Sequence, residues 1–253
     1  MPSFYEFFAG GGMVRAGLGK GWECLLANDI DEKKGASYAA NWGDERLKIK
    51  DVGELTTADT LGRADLAWAS FPCQDLSLAG DYVGLKGVRS GTFWLFWRLM
   101  KMLAEEQREP SVIVLENVCG ALSSREGKDF AAICAALADG GYRFGALVMD
   151  AVRFVPQSRP RLFIVAVRGD LAVPEALTRT QPYPLWHPAN LVGAYDKLPQ
   201  GLKKVWLWWN LAAPPQRIAK FADIVEDEPR GVEWHTLAET KRLLSMMSPI
   251  NHK

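Results

Sequence analysis

Residues 3–12 read Ser3-Phe4-Tyr5-Glu6-Phe7-Phe8-Ala9-Gly10-Gly11-Gly12, and Met13-Val14-Arg15-Ala16-Gly17-Leu18-Gly19 follows. An apolar run that stops at consecutive glycines and resumes with helical spacing predicts a strand over Ser3 to Phe8, a tight turn, and a helix over Met13 to Gly19. Glycines at such a turn let the backbone approach a ligand, and the helix start turns N–H groups toward it. The spacing is not the GxGxxG of a dinucleotide fingerprint, and a strand-to-helix turn of this kind also occurs with no ligand.

Outward from this unit the alternation repeats. Strands are expected at Glu23 to Ala27, Leu66 to Ser70, Val112 to Leu115, Gly145 to Met149 and Leu162 to Val167. Helices are expected at Glu32 to Asn41, after Asp31 as N-cap, and at Thr92 to Glu106 and Lys128 to Asp139. Strands that alternate with helices predict an α/β, Rossmann-like fold with a mostly parallel sheet. After Arg168 prolines crowd in and Trp206, Trp208 and Trp209 cluster, which predicts a division into 1–167 and a small irregular subdomain, 168–253. With 48% hydrophobic and 24% charged residues among 253, the chain has the make-up of a globular protein, neither disordered nor fibrous. Thirty basic residues balance thirty acidic ones, so net charge by itself does not favour a nucleic-acid partner. Cys24, Cys73, Cys119 and Cys134 form no CxxC pair, so neither a metal site nor a disulfide framework is expected. The amino end lacks the pattern of a signal peptide and no apolar run is long enough to span a bilayer, so a cytoplasmic setting is expected.

Chemistry-bearing residues fall at the expected strand ends, where open α/β sheets bind ligands. Asp29, with Ile30 beside it, follows the second strand, where an acid can accept from ribose hydroxyls and an apolar side chain can pack on a ring. Asp51 can accept from an amino group; each acid alone reads equally as solvated surface. Phe71-Pro72-Cys73-Gln74-Asp75-Leu76-Ser77 places Cys73 in a loop after a strand, although an isolated Cys is more often a small buried hydrophobe. Glu116-Asn117-Val118 closes another strand; the plain alternative is a salt-bridged Glu. In Val155-Pro156-Gln157-Ser158-Arg159-Pro160-Arg161, an extended backbone would turn Gln157, Arg159 and Arg161 to one face.

The runs EFFAGGGMVRAGL, ANDID, FPCQDLSLAG, LENVCGAL and VPQSRPRLFIV, in this order over about residues 4 to 167, closely resemble the bacterial and phage cytosine-5 DNA methyltransferase family. The resemblance implies S-adenosylmethionine as cofactor, with S-adenosylhomocysteine as product. Phe8, Ala9, Gly10, Gly12 and Pro72 would shape its pocket, Asp29 and Ile30 would meet its ribose and adenine face, and Asp51 with Val52 its adenine edge. Carbon 5 of cytosine is too weak a nucleophile to take a sulfonium methyl unaided. By the resemblance, Cys73 as thiolate adds at carbon 6, and Glu116, if burial retains its proton, supplies it to ring nitrogen 3. Arg161 donates to the 2-oxygen, while Gln157, Arg159 and Asn117 order the site. The target base must leave the duplex to be reached.

The family's segment after VPQSRPRLFIV carries target recognition and then two closing motifs, the last with a Gly-Asn pair beside the glycine turn. No such pair follows Arg168; Leu237 to Leu244 has at most the spacing of the helix entering that part. Two expectations follow: a shortened form of a longer chain, or the larger half of a split enzyme completed by a second polypeptide. Lys203, Lys204, Arg217 and Lys220 are the first residues to examine for phosphate contacts, and the tryptophans are expected to anchor a small core. Double-stranded DNA is the expected substrate, in a modification system. RNA cytosine-5 methylation and an incomplete, non-catalytic DNA-binding subunit are the alternatives.

Overall fold

The computed structural model describes residues 1–72 and 91–248. Seven strands form one sheet in the order β3-β2-β1-β4-β5-β7-β6: β1 (Ser3–Phe7), β2 (Glu23–Asp29), β3 (Leu47–Ile49), β4 (Leu66–Ala69), β5 (Val112–Val118), β6 (Tyr142–Asp150) and β7 (Pro160–Arg168). The pairs from β3 through β5 are parallel, whereas β7 lies antiparallel between β5 and β6. The α/β, Rossmann-like fold read from the sequence is the fold observed.

The expected elements are present with shifted ends. β1 stops at Phe7 because Phe8 turns to φ 59°, and β5 continues to Val118, so Glu116 and Asn117 lie within the strand rather than beyond it. β3 was not expected: three residues containing Lys48, at the sheet edge, leave almost no hydrophobic pattern. The helices are α1 (Met13–Leu18), α2 (Glu32–Trp42), α3 (Thr92–Glu105) and α4 (Lys128–Asp139). Asp31 caps α2 as expected, its carboxylate accepting the N–H groups of Lys33 and Lys34.

One sheet face is thickly covered. Phe93, Phe96, Trp97, Leu99, Met100 and Leu103 of α3 are buried and share a core with Tyr5, Phe7, Ile113 and Leu115, and with Phe130, Ile133 and Leu137 of α4. Burial of each large side chain stabilises by about 1.5–3 kcal/mol. On the opposite face α1 and α2 stand by β1 and β2, but α1 has no buried residue, and Trp68, Val112, Phe163 and Val165 are only partly buried.

Residues after β7 add β8 (Thr178–Arg179), α5 (Ala189–Asp196), α6 (Gln200–Lys203) and β9 (Trp208–Trp209), β8 pairing antiparallel with β9. Trp206, Trp208 and Trp209 are buried. Leu191, Leu198, Trp206 and Trp208 pack into the same core as α3 and α4. From Ala212 onward nearly all side chains are exposed, and α7 (Leu237–Ser245), capped by Thr236, buries none. No helix among the described residues is long and apolar enough to cross a membrane.

The chain before β9 crosses β6 at Gly145. Phe144 N–H donates to Val205 O (3.1 Å), Leu207 N–H donates to Phe144 O (2.7 Å), and a Cβ on Gly145 would lie 1.8 Å from Leu207 O. Only glycine permits that approach. Gly145→Ala is expected to lower stability by about 1–3 kcal/mol, read as a lower melting temperature; an unchanged melting temperature would show that residues 205–207 move aside at no cost.

Candidate active site

At the carboxyl end of β1 the chain turns through Phe8 (φ 59°), Gly10 (φ 55°) and Gly12 (φ 82°). Two carboxylates hold this turn by its backbone. Gly10 N–H donates to Asp29 Oδ2 (2.9 Å), while Asp29 Oδ1 accepts from Asp31 N–H (3.0 Å). Val14 N–H donates to Glu6 Oε1 (3.1 Å). Gly12 packs against α2, where a Cβ would lie 2.3 Å from Trp42 Nε1, and that indole N–H donates to Gly11 O. Among the described residues nothing lies within 4 Å of a Cβ placed on Gly10.

Beside the turn, Ile30 is 63% exposed, an apolar side chain left uncovered next to Asp29. Asp51 caps a short 3₁₀ turn, its Oδ1 accepting from Gly53 N–H (2.6 Å). Val52 is buried, so what it offers a ligand is backbone. Ala9, also buried, donates its N–H to Asn28 O (2.9 Å).

The second half of the site lies where β4, β5 and β7 end or begin. Arg161 Nε stands 3.0 Å from Glu116 Oε1. Arg161 is opposite Val118 and Phe163 opposite Glu116, so the ion pair is a diagonal cross-strand pair on one sheet face. Asn117 points to the other face, where its Nδ2 donates to Phe71 O (3.1 Å). That bond fixes the backbone just before Pro72, which is exposed; Cys73 itself lies outside the described residues.

Two expectations need correction. The alternation of Gln157, Arg159 and Arg161 requires an extended backbone, yet the strand begins only at Pro160, and Gln157 sits in a bend with its N–H bonded to Val155 O. Two prolines, Pro156 and Pro160, bracket this bend and break the ladder. Arg161 meets Glu116, whereas Gln157 and Arg159 are exposed on the turn. Glu116, moreover, is no buried acid: its side chain is 21% exposed and ion-paired, because its face of the sheet is the thinly covered one.

The sequence profile described as C-5 cytosine-specific DNA methylase matches residues 3–226. The chain belongs to this cytosine-5 methylase family. It is 35% identical over 170 residues to the type II methyltransferase M.Eco47II of Escherichia coli, covering 66% of this chain and 40% of that one. Type II methyltransferase M.BanI of Aneurinibacillus aneurinilyticus is 32% identical over 174 residues, 66% of this chain and 38% of its own. The chain thus spans about two fifths of the length of these curated relatives. Among solved structures, the Dnmt2 methyltransferase of S. pombe shares the fold, with a TM-score of 0.55 at 22% identity over 68% of this chain and 53% of that one.

For a cytosine-5 methylase the turn fits S-adenosylmethionine. Among the described residues nothing covers Gly10 and one buried acceptor at the turn lacks a donor, while an acid with spare lone pairs closes β2. That acceptor is Glu6 Oε2, on a residue the sequence reading passed over. Its signal was an acid inside the apolar run Ser3 to Phe8, where an unpartnered carboxylate is costly. Among the described residues no group of three or more His, Cys, Asp or Glu is placed to hold a metal ion.

Burial pushes the Glu6 carboxyl up from 4.5 to about 7, the Val14 and Arg15 N–H groups and the Arg15 charge opposing this. The folded protein therefore binds a proton there that the unfolded chain has released, so this residue's contribution to stability falls as pH rises from 4.5 to about 7 and is level above. Glu6→Gln keeps an acceptor for Val14 and removes the charge. Its stability relative to wild type is expected to rise across that window, by on the order of 2–3 kcal/mol, in denaturant titrations at several pH values. A difference that does not change with pH would show that Glu6 titrates normally.

Proposed function

We propose that this chain transfers a methyl group from S-adenosylmethionine to carbon 5 of a cytosine flipped out of duplex DNA. Residues 1–167 would act as the catalytic and cofactor-binding domain and 168–253 as part of target recognition or an accessory region. The observation that carries this reading is the Glu116–Arg161 pair, held at the sheet end that also carries the glycine turn and the Asn117-anchored backbone leading into Cys73.

Catalysis on this reading begins with the base leaving the stack, since neither face of carbon 6 is reachable within a duplex. Cys73 as thiolate adds to carbon 6. Arg161 turns its N–H donors to the 2-oxygen, and Glu116, released from the ion pair by taking a proton from solvent, passes that proton to ring nitrogen 3 while its other oxygen accepts from the 4-amino group. Electron density collects at carbon 5. S-adenosylmethionine, when bound, supplies the electrophilic methyl that this carbon takes and departs as S-adenosylhomocysteine. Loss of the carbon 5 proton to a base then breaks the bond from sulfur to carbon 6, expels the Cys73 thiolate and restores the aromatic ring. Phe8, Ala9, Gly10, Gly12 and Pro72 shape the cofactor cleft, Asp29 holds the ribose hydroxyls, Ile30 covers the adenine face, and Asp51 with the Val52 backbone meets the adenine edge. Gln157 and Arg159 steady the loop that bears Cys73. The setting is the cytoplasm of a bacterial or phage-infected cell, at the nucleoid.

A second polypeptide, or a further segment, is proposed to cover the face where Trp68, Phe163 and Val165 are partly buried and α1 buries nothing. DNA is preferred to RNA because the matching profile is described as a DNA methylase and the two curated relatives carry the names of type II methyltransferases.

Incubation with S-adenosylmethionine and DNA containing 5-fluorocytosine is expected to trap a covalent adduct at Cys73, because fluorine cannot leave as the proton does. Cys73→Ser is expected to abolish both adduct and methyl transfer with the fold intact by circular dichroism. Full activity of that variant would exclude Cys73 as nucleophile. Methylation of transfer RNA but not DNA, assayed in parallel with and without a co-expressed downstream reading frame, would overturn the substrate assignment.

A further inference from the structure

A cavity of about 410 Å³ opens between the turn joining β6 to β7 and a segment far along the chain; its walls include Val152, Arg153, Leu185, Pro214, Pro215 and Arg217. The turn follows Asp150, which pairs with Pro160 one step from Arg161, so the cavity shares the sheet end of the Glu116–Arg161 pair. Both walls come from basic stretches without acids. Residues 151–169 hold Arg153, Arg159, Arg161 and Arg168, and residues 197–222 hold Lys197, Lys203, Lys204, Arg217 and Lys220, with no Asp or Glu in either.

The two cavity arginines are exposed but positioned. The Arg153 guanidinium lies 5.9 Å from the ring centre of Trp186, itself buried and bonded through its indole N–H to Leu211 O. One Arg217 N–H is taken by Ala219 O, which leaves the rest of the fork to a ligand. Asp150, the nearest acid along the chain, is tied to the turn itself: Oδ1 accepts from the N–H groups of Val152 and Arg159, and Oδ2 from Ser158. Two guanidiniums over apolar walls fit a phosphodiester with its sugar against carbon. Val152, Leu185, Pro214 and Pro215 offer a sugar carbon surface, and Gln216, which also lines the cavity, adds an amide beside the two guanidiniums.

We propose that this cavity is a docking subsite for the sugar-phosphate backbone of the DNA strand entering the active site, with Arg153 and Arg217 neutralising phosphate charge. The proposal rests on the reading of the chain as a DNA methyltransferase and assigns to it a contact outside the reacting centre. Of the basic residues flagged in the carboxyl-terminal third, Arg217 is the one placed in this cavity, whereas Lys203 Nζ is bonded to Asp196 O (2.7 Å).

Each phosphate contact adds about 0.9 to the slope of log K against log salt for duplex DNA. Fluorescence anisotropy with a labelled duplex, from about 50 to about 200 mM KCl, is therefore expected to give slopes about one unit shallower for Arg153→Ala and for Arg217→Ala, and about two shallower for the double variant. The loss should be the same for unrelated DNA sequences. Arg63→Ala, which alters a basic residue near Glu109 and Arg168 at the other end of the sheet, is expected to leave the slope unchanged. Unchanged slopes in the cavity variants, or an equal loss in Arg63→Ala, with a wild type that binds and methylates DNA, would overturn the subsite alone. A wild-type chain that binds no duplex would overturn the subsite and the reading beneath it.

Discussion

The turn between β1 and α1 depends on carboxylates that accept backbone N–H groups. With positive φ at Phe8, Gly10 and Gly12, the turn cannot satisfy its amides through a regular ladder, and buried amides demand acceptors. Asp29 takes Gly10 with one oxygen and Asp31 with the other, and Asp31 in turn caps α2. The far end of α2 returns Trp42 to Gly11 O. The turn, the end of β2 and the whole of α2 therefore form a closed circuit of bonds, and the strain of a non-glycine residue at φ 59°, of order 1–3 kcal/mol, is held by that circuit. The circuit fixes the backbone at Gly10, whose Cα side no described residue covers.

Topology then decides which loops meet this turn. β1 pairs in parallel with β2 on one side and β4 on the other, so the chain grows the sheet in two directions from β1, and the loops leaving β1 and β4 separate at their carboxyl ends. This switch point falls between the glycine turn and Phe71-Pro72. β7 contributes through its direction. Because it runs antiparallel to β5, its first residues stand beside the last residues of β5, which brings Arg161 to Glu116 although 45 positions separate them in sequence. A parallel strand in that place would have carried its arginine to the opposite end of the sheet.

Much of this was legible in the chain. The strand, glycine turn and helix unit, the Asp31 cap, and the positions of Asp29 and Glu116 at one sheet end follow from apolar runs closed by polar residues. Antiparallel β7 was not, because a strand's own alternation carries no sign of its direction. β3 was lost to its brevity, and the geometry of Gln157 to prolines whose local effect outweighs the period of the neighbouring strand. Glu6 was missed for another reason: its polar character was averaged into an apolar run, when the single exception in that run was the informative residue.

The balanced charge of the chain conceals an ordered division of labour. At the carboxyl end of the sheet five of the described acids serve the protein's own backbone or its own arginine. Glu6 holds Val14, Asp29 holds Gly10 and Asp31, Asp51 holds Gly53, Asp150 holds Val152 and Arg159, and Glu116 holds Arg161. Carboxylates directed inward at N–H groups have much of their field cancelled by the dipoles that they bind, whereas Arg153, Arg159 and Arg217 on the same rim are exposed. A chain with equal numbers of acids and bases can in this way present a positive rim around a cleft. Net charge is thus a poor guide to the partner of such a protein: the sign of the potential that a polyanion meets depends on which charges are already occupied at home.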